Sequence, residues 1–303
     1  MARFGRVLTA MVTPFDANGA LDLDAARNLA RWLADHGNEG LVVAGTTGES
    51  PTLTDDERLS LIAAVAEAVS IPIVAGTTTS DTAHSVHLTA EAAKLGAAGI
   101  LAVCPYYSRP SQAGIVAHME SVAAASDLPV IVYDIPIRTG RKIATANILK
   151  LARQVPNIVA LKDAAANPGE TAAVISSAPD GFEVYSGDDA MTLPLLGSGA
   201  VGVIGVATHW TGDDHQLMFG LWDKGDLAGA RLVNSRMLES FAYETGDEAP
   251  NPIPSKAMMN LLGLNVGTAR LPVGPPPAWV EARAREVRAN LEAWRAAWPE
   301  RPS

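Results

Sequence analysis

The chain has 303 residues, 48% of them hydrophobic, and a formal net charge of −10 at pH 7. This length fits one βα barrel of about 250 residues plus an appendage. The acidic balance argues against a nucleic-acid partner, because phosphates attract basic surfaces. Every apolar run falls short of the roughly 20 residues that span a membrane, and the first residues lack a secretory signal. With Cys104 as the single cysteine, we expect no disulfide framework and a cytoplasmic enzyme without membrane contact.

Eight short segments rich in β-branched residues recur along the chain, with amphipathic helical patterns between them. The predicted strands are Val7–Val12, Gly40–Ala44, Ile71–Ala75, Gly99–Val103, Pro129–Tyr133, Ile158–Lys162, Phe182–Ser186 and Val201–Val206. The intervening helices include Asp24–His36, Thr54–Val69, Thr82–Leu95, Gly114–Ala125 and Ala144–Gln154. Eight alternations predict the α/β class and a closed TIM (β/α)8 barrel, in preference to a doubly wound open sheet.

The sequence beyond the eighth strand contains more helical pattern than a barrel needs. The predicted helices there are Asp214–Trp222, Leu227–Tyr243, Pro254–Leu262 and Pro277–Trp298. We therefore expect the barrel over residues 1–226 and a C-terminal helical extension over residues 227–303. No linker rich in Ser, Gly or Pro separates them, so the boundary is soft.

Lys162 is the strongest single candidate for chemistry. It ends a predicted buried strand, and the carboxyl ends of barrel strands hold the active site. Burial disfavours a charged ammonium, and a neutral amine is the nucleophile that attacks a carbonyl to form an imine. The other lysines lack this setting at a strand end. The structural alternative is an ion pair of Lys162 with Asp163 or Asp188.

Other polar residues follow neighbouring strands at the same rim. The turn containing Thr46 and Thr47 offers hydroxyls and backbone N–H groups to a carboxylate, unless it only leads into a helix capped at Thr54. Tyr133 either places its hydroxyl in a site or packs in the core. Arg138 either clamps a carboxylate through two hydrogen bonds or is a solvated loop residue.

The histidines and the cysteine do not indicate a reactive site. His84 and His87 lie one helical turn apart without a carboxylate at ligand spacing, so the sequence predicts no metal centre there. The Asp213-Asp214-His215 segment is typical of a helix start. Cys104 has no nucleophile motif around it, and we expect a packed thiol.

Several motifs together resemble the 4-hydroxy-tetrahydrodipicolinate synthase family. The residues that carry the resemblance are Gly45-Thr46-Thr47-Gly48-Glu49-Ser50, Pro105-Tyr106-Tyr107, Tyr133-Asp134-Ile135-Pro136-Ile137-Arg138-Thr139-Gly140, Ser186-Gly187-Asp188-Asp189 and Asn251-Pro252-Ile253-Pro254. Several of these motifs are shared by the wider pyruvate-dependent lyases, which include N-acetylneuraminate lyase. Arg138 is the most discriminating, because sialic-acid lyases generally lack it.

The resemblance implies that pyruvate forms an imine on the lysine, becomes an enamine and attacks the small aldehyde L-aspartate 4-semialdehyde, after which the product cyclises. The catalytic residues that it implies are Lys162, Tyr133, Thr46 and Tyr107. The substrate-binding residues that it implies are Thr47, Arg138, Gly187 and the backbone around Ile204. It implies no cofactor and no metal, because the lysine is the electron sink.

In this family Tyr107 reaches into the neighbouring subunit's site, so the resemblance implies a homodimer or a homotetramer made of two dimers. Departures from the family pattern after Lys162 and at the end of the eighth strand put the second substrate in some doubt. Family members inhibited by lysine use a polar interface site, where this chain has Asp55, Arg58 and His84. Neither Arg58 nor His84 supplies a carboxylate for a cationic amine, so we expect weak or absent inhibition by lysine.

Three alternatives stay open on the sequence. One is another pyruvate-dependent aldolase that cleaves a sugar acid or a hydroxy-oxo acid, for which Arg138 has less use. Another is a pyruvate-binding protein without catalysis, which would need none of the relay hydroxyls of Thr46, Tyr107 and Tyr133. A barrel phosphate binder is disfavoured, because no Gly-rich segment stands between strands seven and eight.

Overall fold

The computed structural model describes residues 2–298, which contain a closed barrel of eight parallel strands in chain order. The strands are β1 Val7–Ala10, β2 Gly40–Val43, β3 Ile73–Gly76, β4 Gly99–Val103, β5 Val130–Asp134, β6 Ile158–Asp163, β7 Glu183–Ser186 and β8 Gly202–Gly205. Strand β8 pairs with β1 and closes the ring. The predicted TIM (β/α)8 barrel is confirmed, and the open sheet is excluded because it would leave two edges.

Helices follow the strands and mostly begin where the sequence predicts. They are α1 Leu23–Asp35, α2 Asp55–Ala68, α3 Thr82–Ala92, α4 Gln112–Ala123, α5 Pro136–Thr139, α6 Thr145–Gln154, α7 Pro168–Ser177, α8 Thr192–Leu196, α9 Thr208–Asp223, α10 Leu227–Glu244, α11 Ile253–Leu261 and α12 Val280–Ala297. The side chain of Asp22 accepts a hydrogen bond from Ala25 N, and Thr54 and Glu57 form a capping box at α2. Such caps satisfy backbone N–H groups that the first turn leaves free.

The start of α9 differs most from the sequence-based expectation. The helix was expected to begin at Asp214, but it begins at Thr208 and bends at Thr211, where φ is −116° and ψ is 17°. Asp214 and His215 are therefore buried inside the helix and do not cap it. The Asp214 carboxylate is ion-paired with Arg295 of α12. Because no polar side chain caps the true start, the usual sequence signal was missing.

Side chains at alternate strand positions point into the barrel, and two successive inward positions on each strand are named here the lower and the upper layer. Neighbouring strands are staggered, so that Lys162 of the upper layer pairs with Tyr185 of the lower one. The lower layer consists of Leu8, Val42, Val74, Leu101, Ile131, Ala160, Tyr185 and Ile204. Two residues further along each strand, the upper layer consists of Ala10, Ala44, Gly76, Val103, Tyr133, Lys162, Gly187 and Val206. Half of these upper residues are Ala or Gly, so the barrel is packed below and open above.

Close strand packing fixes the lower end of the barrel. Phe4 is 2% exposed and belongs to the interior cluster. A Cβ atom at Gly202 would lie 2.1 Å from the carbonyl oxygen of Arg6, and one at Gly99 would lie 2.7 Å from the Phe4 ring. Because a side chain would clash at either position, glycine allows β8 to close on the first strand and Phe4 to plug the base.

The C-terminal helices pack on the barrel's last helix. Trp210 Nε1 of α9 donates a hydrogen bond of 2.9 Å to Ser240 Oγ of α10. The Tyr243 hydroxyl donates to the carbonyl oxygens of Pro254 and Val280, at 3.2 Å each. These contacts tie α10 to the two following helices, whose positions agree with the sequence. The division at residue 226 stays a prediction. In the described part of the chain, no helix is long and apolar enough to cross a membrane.

Candidate active site

A cavity of about 400 Å³ opens at the carboxyl end of the barrel, above the upper layer of side chains. Its wall consists of Thr46, Thr47, Tyr133, Ile135, Ile137, Arg138, Lys162, Ala164, Gly187, Asp188, Asp189, Val206, Glu244, Thr245, Gly246, Asp247, Pro250 and Asn251. The loops after five strands and the segment that follows α10 therefore meet at one site. Its position is the one expected for the active site of a TIM barrel.

Lys162 stands in the floor of this cavity. It lies two residues after Ala160 on β6, so the strand's alternation turns both side chains into the barrel. The side chain is 3% exposed, and its Nζ lies 4.4 Å from the centroid of the Tyr133 ring. Burial lowers the pKa of Lys162 to about 8, although the negative charge of Asp189 opposes this change. An appreciable fraction of the amine is therefore neutral near pH 7.

The alternative of a structural ion pair for Lys162 is not supported. Among the described residues, no hydrogen bond or ion pair to the Lys162 amine is found. The neighbouring Asp163 is engaged elsewhere, because its carboxylate accepts hydrogen bonds from Ala165 N at 2.8 Å and from Thr171 Oγ1 at 2.7 Å. The Lys162 amine thus faces the cavity without a fixed partner.

Tyr133 lies beside Lys162 on the adjacent strand, because the register of β5 and β6 pairs these two residues. The tyrosine is 5% exposed, and it lines the cavity as well as the barrel interior. Burial raises the pKa of its hydroxyl above the usual value, with Arg138 opposing the shift. The phenol is therefore protonated at neutral pH and can donate a proton or a hydrogen bond to a group bound at the lysine.

The Thr46-Thr47 turn places hydroxyl groups at the cavity wall. Thr47 is 4% exposed, and its Oγ1 accepts a hydrogen bond of 2.8 Å from Asn251 Nδ2. Thr46 is half-buried and lines the same cavity. The helix α2 is capped by Thr54, while Thr46 and Thr47 line the cavity; the carboxylate-binding role of this turn stays a prediction. Asn251 lies in a motif that carried the family resemblance, but it was not assigned a site role.

Arg138 lies on the short helix α5 and is exposed at the cavity rim. Buried Asp134 holds the surrounding segment, because its carboxylate accepts a hydrogen bond from Ile143 N at 3.1 Å and pairs with Lys142 at 3.0 Å. Thr139 Oγ1 donates to the carbonyl oxygen of Ile135 at 3.1 Å. The guanidinium is therefore carried by an anchored segment, ready for a carboxylate at the mouth.

Gly187 and Ile204 take different positions along their strands. Gly187 lines the cavity, and a Cβ atom there would lie 3.0 Å from Lys162 Cγ. A side chain at this position would therefore press on the lysine. The Ile204 side chain belongs to the lower layer, whereas Val206, two residues later, lines the cavity. The substrate-binding role expected for the backbone around Ile204 stays a prediction.

Tyr107 does not take part in the wall of this cavity as the described chain forms it. Its side chain is 94% exposed, and its backbone has a φ of 69° in the left-handed region. Such exposure of a large aromatic side chain is unusual for a protein that acts as a single chain, as is a positive φ at a tyrosine. Ile137 and Leu271 are also strongly exposed, at 90% and 79%.

The wall also contains four acidic residues to which no site role was assigned from the sequence: Asp188, Asp189, Glu244 and the exposed Asp247. Asp188 and Asp189 follow β7, and Glu244 is the last residue of α10. Glu244 is 4% exposed and Asp189 is 1% exposed. Asp188 and Asp189 stood in a motif of the resemblance, whereas only the polar loop after α10 could have drawn attention to Glu244. The site therefore holds more negative charge than expected.

The residues set aside in the sequence have structural partners. Burial raises the pKa of Cys104 to about 12, as expected of a packed thiol. His84 Nε2 lies 2.9 Å from the Asp55 carboxylate, and Arg58 is buried and donates to the Ser50 carbonyl oxygen. Within residues 2–298, no group of His, Cys, Asp and Glu is arranged to hold a metal. Weak inhibition by lysine stays a prediction.

Comparisons with known proteins identify the family of this chain. The model of the dihydrodipicolinate synthetase family matches residues 3–293. A 4-hydroxy-tetrahydrodipicolinate synthase of Moorella thermoacetica is 46% identical over 89% of this chain and 92% of its own. A 4-hydroxy-tetrahydrodipicolinate synthase of Acidothermus cellulolyticus is 48% identical over 94% of this chain and 92% of its own length. The structure of the Cyanidioschyzon merolae enzyme with lysine bound is 41% identical, with a TM-score of 0.94 over 96% of this chain and 99% of that one. The chain therefore belongs to the dihydrodipicolinate synthetase family, and the predicted resemblance is confirmed.

Proposed function

We propose that this chain is a lyase that condenses pyruvate with L-aspartate 4-semialdehyde to 4-hydroxy-tetrahydrodipicolinate through an imine on Lys162. The synthase function expected from the sequence is confirmed by its curated relatives, which carry the name of this activity over about nine tenths of the chain. The observation that carries the chemistry is the buried amine of Lys162, which faces the cavity without a fixed partner. The residue roles below are our proposal.

The first step is attack of the neutral Lys162 amine on C2 of pyruvate. A proton moves from the nitrogen to the new alkoxide. A second proton, donated by the Tyr133 hydroxyl, lets the hydroxyl leave as water, and a protonated imine remains. Loss of a proton from C3 then gives an enamine, whose carbon attacks the aldehyde and forms the new carbon–carbon bond. The product cyclises and is released from Lys162. Thr47 and the neighbouring backbone hold the pyruvate carboxylate, which fixes the enamine for attack.

Tyr133 moves the protons of these steps, with Thr46 and Tyr107 completing a relay of hydroxyls. A phenol beside the lysine is suited to this because it can both donate and accept a proton. The exposure of Tyr107 supports a contribution to the site of a second copy of the chain, since its hydroxyl does not reach the cavity of its own chain. This requires at least a dimer, and a homotetramer would pair two such dimers.

Arg138 binds the carboxylate of the aldehyde substrate at the cavity mouth. Its position on the anchored α5 segment supports a bidentate contact, and its charge offsets the acidic wall. The alternative, a pyruvate-dependent aldolase that cleaves a sugar acid or hydroxy-oxo acid, would keep the lysine and the tyrosine but have little use for this arginine. The names of the curated relatives favour the synthase.

The aldehyde assignment is tested by kinetics with pyruvate and L-aspartate 4-semialdehyde in wild type and in Arg138→Ala. We expect kcat/KM for the aldehyde to fall about 10- to 100-fold, because a charge-assisted contact is lost. Imine formation with pyruvate alone should be retained. Arg153→Ala, an exposed arginine outside the cavity, is the control. Cleavage of a sugar acid with little effect of Arg138→Ala would establish the aldolase alternative instead.

A further inference from the structure

The carboxyl groups of Glu244 and Asp189 lie together in the cavity wall, beside Lys162. Glu244 Oε2 and Asp189 Oδ1 are both fully buried, and no donor among the described residues reaches either atom if both groups are carboxylates. The side chain of Glu244 is nevertheless within hydrogen-bonding reach of that of Asp189. Two carboxylates cannot hydrogen-bond, because neither has a hydrogen to donate. One proton between them supplies the missing donor.

The groups around Asp189 supply no hydrogen to its Oδ1, which makes Glu244 the donor of the shared proton. Asp189 Oδ2 already accepts a hydrogen bond of 2.8 Å from Val206 N, so the backbone holds this carboxylate in place. His215 Nε2 lies 3.9 Å from Asp189 Oδ1, too far for a hydrogen bond, while its Nδ1 lies 2.9 Å from the carbonyl oxygen of Thr211. At 3.9 Å, Nε2 makes no hydrogen bond to Asp189, so Oδ1 of that carboxylate can accept the proton of Glu244.

His209 does not supply a donor to Asp189 either. Its Nδ1 donates to the Val206 carbonyl oxygen at 2.7 Å, and its Nε2 accepts a hydrogen bond of 3.1 Å from Val12 N. Both ring nitrogens are thereby satisfied, and burial lowers the pKa of His209 to about 4. The ring is neutral at physiological pH.

The other acidic and basic groups of the cavity wall are Asp188, Asp247, Lys162 and Arg138. Burial, followed by the charge of Asp189, raises the pKa of Glu244 well above its usual range. Lys162 opposes this shift but does not cancel it. The geometry and the electrostatics thus agree that one of the two carboxyl groups is protonated.

We propose that Glu244 and Asp189 share one proton in the resting enzyme, so that the pair presents a single negative charge to Lys162 and to the entering pyruvate carboxylate. The biological meaning of this pair rests on the proposed function. Both substrates carry a carboxylate, and a second negative charge on this pair would repel them and favour the charged form of the lysine. Glu244 is a positioning residue, and its acid form also holds Asp189 beside the imine, whose positive charge Asp189 balances.

The test measures the titration of Lys162 without pyruvate. Pulse labelling with acetic anhydride at a series of pH values, followed by peptide mass spectrometry, gives the midpoint at which the Lys162 amine becomes reactive. If Glu244 is neutral, Glu244→Gln removes no charge and the midpoint should stay in place. The double variant Glu244→Gln/Asp189→Asn removes the pair's charge, and the midpoint should fall by about 1 pH unit or more. Glu248→Gln, an exposed neighbour outside the cavity wall, is the control.

A fall of about 1 unit in the single variant Glu244→Gln would mean that Glu244 is ionised, and would overturn the proposal. A second measurement uses the wild-type protein. Infrared difference spectra should contain the carbonyl band of a protonated carboxyl at neutral pH that Glu244→Gln removes, and the absence of this band would also overturn it. Neither result depends on catalysis. Failure of the wild type to trap pyruvate would instead overturn the proposed function and leave the shared proton standing.

Discussion

Lys162 in the barrel and Lys256 in the C-terminal helices are alike in most respects that usually mark a reactive lysine. They are 3% and 2% exposed, and burial lowers the pKa of each to about 8. Each amine lies over an aromatic ring, at 4.4 Å from the centroid of Tyr133 and 4.2 Å from that of Phe15. Neither burial nor pKa therefore separates the two.

The partners of the two amines differ. Lys256 Nζ lies 2.7 Å from the buried carboxylate of Glu49 and donates to the carbonyl oxygen of Thr268 at 3.0 Å. Lys162 has no such partner among the described residues, and it faces a cavity lined with hydroxyl and carboxyl groups. A lysine whose donors are used holds a structure together, whereas one whose donors are free can bind and react. Because Lys256 also lines a cavity, of about 380 Å³, the free donors of Lys162 separate the two lysines and the presence of a cavity does not.

Lys162→Ala should have the largest effect. Loss of the nucleophile should reduce kcat on the order of 10⁴-fold, because Lys162 is the one lysine among the described residues of the cavity wall. Steady-state kinetics with pyruvate and L-aspartate 4-semialdehyde measure this. Lys150→Ala on the exposed face of α6 is the matched control and should behave as wild type. Retention of substantial activity in Lys162→Ala would remove the distinction between the two lysines.

Tyr133→Phe tests whether the neighbour of Lys162 does more than pack against it. The ring, and with it the contact to the amine, is retained, but the hydroxyl is lost. We expect kcat to fall about 10²- to 10⁴-fold, the range for loss of a general acid–base group. Thermal unfolding should change little. A rate close to that of wild type would make Tyr133 a packing residue, as Phe15 is for Lys256.

Lys256→Met should lower the stability of the protein, whereas Lys162→Ala should lower its activity. Removing one partner of a buried ion pair leaves the Glu49 carboxylate uncompensated, and the free energy of unfolding should fall by about 3–5 kcal/mol. Denaturant titration measures this change. The double variant Lys256→Met/Glu49→Gln should recover part of the loss, since it buries no lone charge. A stable Lys256→Met protein that cannot form the imine would contradict the assignment.

The pH dependence of imine formation sharpens the comparison further. With a pKa of about 8, the neutral fraction of Lys162 rises about tenfold for each pH unit up to that value and then levels off. The rate of pyruvate adduct formation should therefore rise from pH 6 to 8 and reach a plateau above. Stopped-flow or quench measurements at constant ionic strength give the profile. A rate that is independent of pH over this range would show that amine deprotonation does not limit attack.

The sequence predicted the barrel well because its signals are local. Eight buried strand segments and polar helix caps such as Thr54 determine the alternation, and the family motifs pointed to the cavity wall. Where the signal was absent the prediction failed, as at α9, whose first residue has no capping side chain. A helix that begins without a capping residue gives no sequence signal for its first residue.

The environment of each side chain was harder to predict. The sequence does not indicate that Lys256 is as buried as Lys162. Its ion pair with Glu49 joins residues more than two hundred positions apart, and no local pattern marks such a contact. Glu244 was missed for the same reason, since only the folded chain brings the end of α10 over the barrel mouth to Asp189. The sequence likewise does not show that Ile204 packs inside the barrel while Val206 lines the cavity, because this depends on the register of the strands.

The most direct test of the difference between the two lysines is borohydride trapping with pyruvate, followed by intact-mass and peptide mass spectrometry. We predict one pyruvyl adduct per chain, on Lys162, lost in Lys162→Ala and retained in Lys150→Ala. Lys256 should carry no adduct in any of these proteins. An adduct on Lys256, or none in the wild type, would contradict the conclusion that the lysine without fixed partners is the one that reacts.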